Sequence, residues 1–465
     1  MSDADRVTLA FTEEAVFGTT PVGTITAITI SAAAADNSVN DSGNGFVAAG
    51  FVAGQYIDIA GFTGTAANNQ KGRVLTVAAG KMTLETDTAL VDDAAGESVT
   101  ILSALNELRL VSESLGGENT SVESAEIRDD RQINDVIRTL TRAAGDLNYE
   151  LSFSAYDHLI EAAFLSAGFS TEVEDISGDT TISAANGDNS FNDSANGFGN
   201  YVLNQWIKTA GFATAANNGF FKITSAAAGK LIVSGGTLTT EAAGPAITIT
   251  QGAQVVNGVA LRTFSMERQY TDLTNKFEIM KGMAVNQLSM SIQADQIITG
   301  AFAFIGKNAA SAAASVITGG NKTAPTKAVM AAVDSITAIL EGQAAFASTQ
   351  FSLELVNNLR ERLEIGTLGA ASIGSGAVGV TGTLQAFFTS ETIIDKFLNF
   401  TTSTLALVIE DVDGNGYIVD FPRVKYTQGQ RVAGGQNTDV LADMTFSAFR
   451  EPTEDVTIRF ARFPA

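Results

Sequence analysis

The strongest constraint on this 465-residue chain is an internal repeat, in which Asp36-Asn-Ser-Val-Asn-Asp-Ser-Gly-Asn-Gly-Phe46 recurs as Asp188-Asn-Ser-Phe-Asn-Asp-Ser-Ala-Asn-Gly-Phe198. The likeness extends over a whole small module. Ala60-Gly-Phe62 followed by Ala66-Ala-Asn-Asn69 is matched by Ala210-Gly-Phe212 followed by Ala215-Ala-Asn-Asn218, and Ala78-Ala-Gly-Lys81 by Ala227-Ala-Gly-Lys230. The copies span residues 26–104 and 178–252, and unrelated sequence between them argues against a solenoid, which stacks adjacent units. In each copy short β-type runs (Tyr56–Ile59, Arg73–Val77 and Met82–Leu84; Trp206–Lys208, Phe220–Thr224 and Leu231–Val233) alternate with Asn, Asp and Gly. This pattern predicts two small β domains.

The Asp/Asn-rich turns pose a question of their own. Asp36, Asp41, Asp188 and Asp193 offer the hard oxygens that calcium prefers. Asx side chains also close turns on their own backbone, and Asn-Gly supplies the positive φ of a hairpin. The turn reading is preferred.

Without the copies, the remaining sequence is itself doubled. Gly145–Phe153 alternates apolar and polar residues ahead of a helical pattern over Tyr156–Phe164, as Gly382–Phe388 does ahead of Glu391–Phe400. Upstream lie the strands Glu107–Glu113 and Gln350–Asn357, each followed by a long loop, Asn119–Arg142 or Arg360–Gly379. Downstream come Leu261–Arg268, Asn286–Gln293 and Ile297–Ile305 in the first half, and Leu405–Glu410, Tyr417–Phe421 and Val440–Phe449 in the second. The prediction is mostly β: two tandem β-sandwich domains, each with a short helix, joined by an Ala-rich segment at Ala309–Thr326. The first is discontinuous (1–25, 105–177 and 253–308), and the second covers 327–465.

Composition removes most chemistry. There is no cysteine and one histidine, His158, so thiolate sites are excluded and histidine clusters and a Ser-His-Asp triad are disfavoured. His158, beside Asp157 and Glu161, is expected to be a surface or capping residue. Asp411-Val-Asp413-Gly-Asn415-Gly416 resembles the start of an EF-hand loop, but Pro422 stands where the bidentate Glu belongs and the flanks read as strands. No phosphate or dinucleotide motif is present. No enzyme activity, cofactor or metal is expected. Asp and Glu number 51 against 28 Lys and Arg, a formal charge of -23, which repels nucleic acid and anionic membranes. Met1–Arg6 has no basic n-region, and no apolar run is long enough to span a bilayer. A soluble chain with no membrane partner is expected.

The ordered motifs resemble the major tail tube proteins of long, non-contractile-tailed (siphovirus-like) bacteriophages. The resemblance rests on Ala10-Phe-Thr-Glu-Glu-Ala-Val-Phe-Gly-Thr-Thr-Pro21, Glu107-Leu-Arg-Leu110 through Ala125–Arg131, Gly145–Phe164, Met266-Glu-Arg268 and Val285-Asn-Gln-Leu288. Val356-Asn-Asn-Leu359 and Gly416–Arg423 extend it into the second half. It implies tail-tube-type sandwich domains whose hairpins join into rings. Stacked rings would form the virion tail tube, made in the host cytoplasm and meeting other tail proteins at its ends, with an acidic bore for DNA ejection. The two repeated modules depart from the family pattern and are expected on the outside. The alternative is a virion or cell-surface adhesin with repeated β binding domains.

Alternation assigns the bore. Leu147, Tyr149, Leu151 and Phe153 form one apolar set, so Asp146, Asn148 and Glu150 face the channel. By the same logic Ser289, Ser291 and Gln293, and Asp443, Thr445 and Ser447, are exposed. The mixed-charge loop Asn119–Arg142, with Arg128, Asp129, Asp130, Arg131 and Arg138, is expected to be ordered by a neighbouring subunit or ring. A bore for duplex DNA exceeds roughly 20 Å, and about four lumen strands per half give about 24 strands in three chains. This favours a homotrimeric, pseudo-sixfold ring, with a hexamer as the alternative.

Overall fold

Thr, Val, Ile and aromatic residues at alternate positions suit a pleated, half-buried backbone, and strands run along nearly the whole chain. The computed structural model describes residues 3–433 and 435–465. Among them are three short α-helices, and no helix is long and apolar enough to cross a membrane.

In the first half β1 (Val7–Glu14), β2 (Gly116–Glu123) and β3 (Val136–Glu150) lead to α1 (Asp157–Ala163), then β4 (Thr263–Tyr270), β5 (Phe277–Gln293) and β6 (Thr299–Gly306). The second half comprises the one-turn α2 (Ala332–Ser335), β7 (Ile336–Glu341), β8 (Gln350–Val356), β9 (Gly379–Phe387), α3 (Thr392–Leu398), β10 (Ser403–Glu410), β11 (Gly416–Ala433), β12 (Val440–Ala448) and β13 (Arg459–Phe463). β5 and β11 are longer than the sequence pattern shows. Each carries a bulge, between Val285 and Gln287 and between Tyr426 and Gln428. A bulge bends a strand and lets it serve two sheets at a sandwich corner. Before the bulges, β5 pairs with β4, and β11 with β10 and β13.

Beyond the bulges both strands enter one long sheet, ordered β2–β3–β6–β5–β8–β9–β12–β11. The halves meet at β5–β8, through seven residue pairs from Gln287↔Val356 to Gln293↔Gln350. The core is continuous across that junction. Leu147, Phe302 and Leu288 from one half and Phe351, Leu384 and Phe446 from the other belong to one cluster, with Leu159 and Ile160 of α1 and Ile394 of α3.

Four sequence expectations change. The supposed loop Asn119–Arg142 is a β-hairpin arm made by β2 and the first part of β3. It lacks an apolar face because solvent meets both of its faces. The second loop contains a smaller hairpin, Arg360–Leu363 with Ala370–Gly374. The supposed linker is partly sheet, since Asn308–Ala312 pairs with the start of β5. Glu107–Glu113 is not one strand either. Strand Val99–Glu107 ends there, and pairing resumes at Ser112.

Residues 24–102 and 173–251 each form a seven-stranded unit around a separate apolar core. Their entry and exit strands pair, Thr24↔Leu102 and Val173↔Gln251. In each unit one cross-strand position faces the body, Tyr56↔Arg73 in the first and Trp206↔Lys222 in the second. Tyr56 packs edge-on to Phe11 of β1 at 5.7 Å. Trp206 lies with Phe220 against Ile418, Ala461 and Phe463, on the second half. Although sequence inserts both units into the first half, space divides them between the halves.

The paired cations enter ion clusters. Lys222 reaches Asp420 at 2.9 Å, which also accepts from Arg459 at 2.7 Å. Arg73 bridges Glu13 and Glu85, each at 2.7 Å, and Arg262 binds Glu13 at 2.6 Å and also Glu161. His158 lies between Glu161 (3.2 Å) and Glu85 (3.4 Å). It is therefore not a surface residue, because the first unit covers it. Burial lowers the His158 pKa, but Glu85 and Glu161 outweigh burial and Arg73 and push it up to about 9. Burial raises Glu85, while His158 and Arg73 bring it down to about 2.

Two tests follow from these contacts. Trp206→Ala is expected to cost about 3–5 kcal/mol and to release the second unit at a lower temperature than the body, seen as a separate calorimetric transition. The His158 contribution is full below its ordinary 6.5 and lost as pH rises through about 9; that of Glu85 is full above 4.5 and lost as pH falls towards 2. Proteolysis between the first unit and the body is thus expected to accelerate above pH 9, and less so in His158→Gln, which starts from a weaker joint.

Candidate functional site

Opposite the core, the long sheet presents a polar face built by strict alternation. Asp146 and Asn148 are exposed and Glu150 half-buried, while Leu147 and Tyr149 between them are buried. On β5, Ser291 and Gln293 are exposed and Ser289 half-buried, while Leu288, Met290 and Ile292 are buried. On β12, Asp443, Thr445 and Ser447 are half-buried, beside buried Met444 and Phe446.

Register brings these residues into transverse rows that ignore the boundary between halves. One row runs Asn148, Ala301, Ser289, Glu354, Thr381, Ser447, Lys425. The next runs Glu150, Thr299, Ser291, Ser352, Thr383, Thr445, Gln428, and a third runs Gln293, Gln350, Gln385, Asp443, Gln430. Hydrogen bonds tie neighbours across strands. Gln287 donates to Glu354 at 2.7 Å, Gln385 to Asp443 at 2.7 Å, and the Ser352 and Thr383 hydroxyls lie 2.6 Å apart. β8 and the start of β9, with Gln350, Ser352, Glu354, Thr381 and Thr383, were missing from the sequence-based face. Their alternation in Gln350-Phe-Ser-Leu-Glu-Leu355 was the available signal.

The face is chemically plain. Its charges are Asp146, Glu150, Glu354 and Asp443, and the lone cation of these rows, Lys425, sits at the margin with its ammonium 4.1 Å from the Phe400 ring centre. With hydroxyls, amides and carboxylates otherwise filling these rows, a phosphate backbone finds no cationic partner in them except Lys425 at the margin.

The arm carries the other candidate residues. Arg128, Asp129, Asp130 and Arg131 form its tip, and Arg138 stands on its β3 strand, all exposed. Arg128 is satisfied within the tip, by Asp130 at 2.8 Å and Asn134 at 3.3 Å, whereas Arg131 and Arg138 make no ion pair among the described residues. Ile127 is fully exposed there.

The calcium-like turns bind their own chain. Asp41 accepts from the Gly43 and Gly45 N–H groups (2.8 and 2.7 Å) and the Thr29 hydroxyl (2.6 Å), and Asp193 accepts likewise from Ala195, Gly197 and Thr181. Asn37, Asn44, Asn189 and Asn196 take the positive φ that such turns require. Asp411 accepts from the N–H groups of Asp413 and Asn415 in the hairpin between β10 and β11. Among the described residues, no three His, Cys, Asp or Glu side chains converge as metal ligands.

Comparison with individually curated proteins returns no match. A family model described as phage tail tube protein matches residues 4–448, nearly the whole sequence. The chain therefore belongs to the phage tail tube protein family, a structural family of the virion rather than a family of enzymes.

Proposed function

We propose that copies of this chain join edge to edge into a closed ring with the polar face lining its bore, and that stacked rings form the tube of a long, non-contractile tail. Duplex DNA passes along the acidic bore without being held, and other tail proteins close the tube ends. The two seven-stranded units decorate the outside. This placement is supported by Trp206 and Phe220, which pack on the side of the second half opposite its polar face.

The β5–β8 junction carries the reading. Each half has the same run of strands, β3–β6–β5 and β9–β12–β11, with the bulge at the same place. Beyond the bulge, the free side of β5 is taken by β8, while among the described residues that side of β11 has no strand. The equivalent of β8 in the first half is the run Ser112–Glu118, which pairs with β3 as β8 pairs with β9; among the described residues no strand pairs with its other side, although Arg268 donates to the Leu115 carbonyl. The internal junction is thus a template for the contact between copies, placing Gln428 opposite Glu118 of the next subunit. An adhesin has no need of two complementary open edges on one sheet.

Eight strands per chain give about 24 in a trimer, wide enough for duplex DNA, whereas a hexamer gives about 48. In this cysteine-free chain, Gln428→Cys with Glu118→Cys and a short bismaleimide is expected to yield species of one, two and three chains and nothing larger. Six would establish the hexamer, and intact tubes without cross-links would refute the edge pairing. Replacing Ser121–Arg138 by an Asn-Gly turn is expected to leave rings that no longer stack; electron micrographs showing tubes of unchanged length would remove the arm from the stacking contact.

A further inference from the structure

The small hairpin after β8 ends in the most exposed aliphatic residue of the described chain, Ile365 at 107% exposure, flanked by exposed Leu363 and Leu368. It lies along the rim at which the arm emerges, with Gly369 close to the Thr141 and Lys307 carbonyls. Rigid placement of an apolar tip in water is unfavourable, and nothing among the described residues covers it.

At the opposite rim, where β5 ends and β8 begins, an open cleft of about 160 Å³ has an apolar side of Ile292, Ala332, Val333, Ile336, Ile339 and Phe351 and a polar side of Asp295, Ser348, Thr349 and Gln350. An aliphatic cavity of roughly 150 Å³ accepts a group the size of benzene, so this one has room for an isoleucine side chain. Val333 is 70% exposed at its mouth. Among the described residues Asp295 and Asp334 beside it make no ion pair, and neither does the exposed Arg362 on the first strand of the hairpin, which also carries Arg360, Glu361 and Glu364. Tip and cleft lie at opposite ends of the same sheet, so one chain cannot bring its own together. Contact between unlike patches is heterologous, and repetition along an axis gives a filament.

We propose that Ile365 of one copy seats in the Val333 cleft of a copy in the next ring, with Arg362 towards Asp295 and Asp334, making a second ring-to-ring contact besides the arm. The inference rests on the tube reading above and adds its receiving site.

The test again uses the absence of native cysteine. Ile365→Cys with Val333→Cys, treated with a short bismaleimide, is expected to give a ladder extending well beyond three chains, because the link runs along the tube. Each single variant should give none. Ile365→Asp, at a fully exposed position, should leave folded rings and at least a tenfold loss of tube mass in electron micrographs. Tubes that form normally in Ile365→Asp, or that yield no ladder in the double variant, would overturn this contact while leaving the tube reading intact. Failure of the unmodified chain to form rings or tubes would overturn both.

Discussion

The pairing of β5 with β8 is the interaction on which the architecture depends. A sheet edge presents unpaired N–H and C=O groups and has to be paired or covered. The junction satisfies one such edge from each half and, in doing so, makes one sheet and one core from a duplicated sequence. Register is critical because a slip of one residue would carry Leu288, Met290 and Ile292 to the polar face. The bulges at Gln287 and Gln428 set that register by marking where each long strand leaves one sheet for the other.

Docking of the inserted units follows a second rule. Both copies present an aromatic residue and a cation across one strand pair, yet meet different surfaces, with Glu13 on β1 receiving Arg73 and Asp420 on β11 receiving Lys222. A buried ion pair repays its desolvation only when its geometry is good and further hydrogen bonds satisfy the remaining lone pairs and protons. Here Glu13 has two arginines, and Asp420 a lysine and an arginine. Such clusters add directional selectivity to apolar contacts that would otherwise tolerate many placements. In the proposed ring such selectivity matters, because the open edges have to remain available to other copies.

Much of this was legible in the sequence because it is local. Period-two alternation identified Asp146, Asn148 and Glu150 as sharing one face, and the recurring Asp/Asn-rich turns with Asn44-Gly45 and Asn196-Gly197 marked the repeated units. Distance hid the rest. Alternation says which face of a strand is apolar but not which edge meets which, so the β5–β8 junction was invisible. The arm lacks a buried face and therefore read as a loop. His158 read as a surface or capping residue because Asp157 and Glu161 flank it on the helix, while the groups that cover it, Tyr56 and Glu85, come from distant parts of the chain. The docking of the second unit on the far half was equally hidden, since its insertion point lies in the first.

The polar face also shows how a sheet can be acidic without being weakened. Like charges directly opposite across strands destabilise a sheet. Glu354 has Ser289 and Thr381 as its cross-strand neighbours, Asp443 has Gln385 and Gln430, and Glu150 has Thr299. No two carboxylates in these rows oppose each other, and amides or hydroxyls between them take up the hydrogen bonding. Repulsion within the face is left to distances comparable with the screening length of about 8 Å at physiological salt. A polyanion moving along such a face meets fixed negative charge and neutral dipoles. It finds almost no cation for which to exchange its counterions, and counterion release is the main source of non-specific affinity for nucleic acid. The same spacing that lets the sheet tolerate its charge thus suits the proposed bore to passage rather than retention.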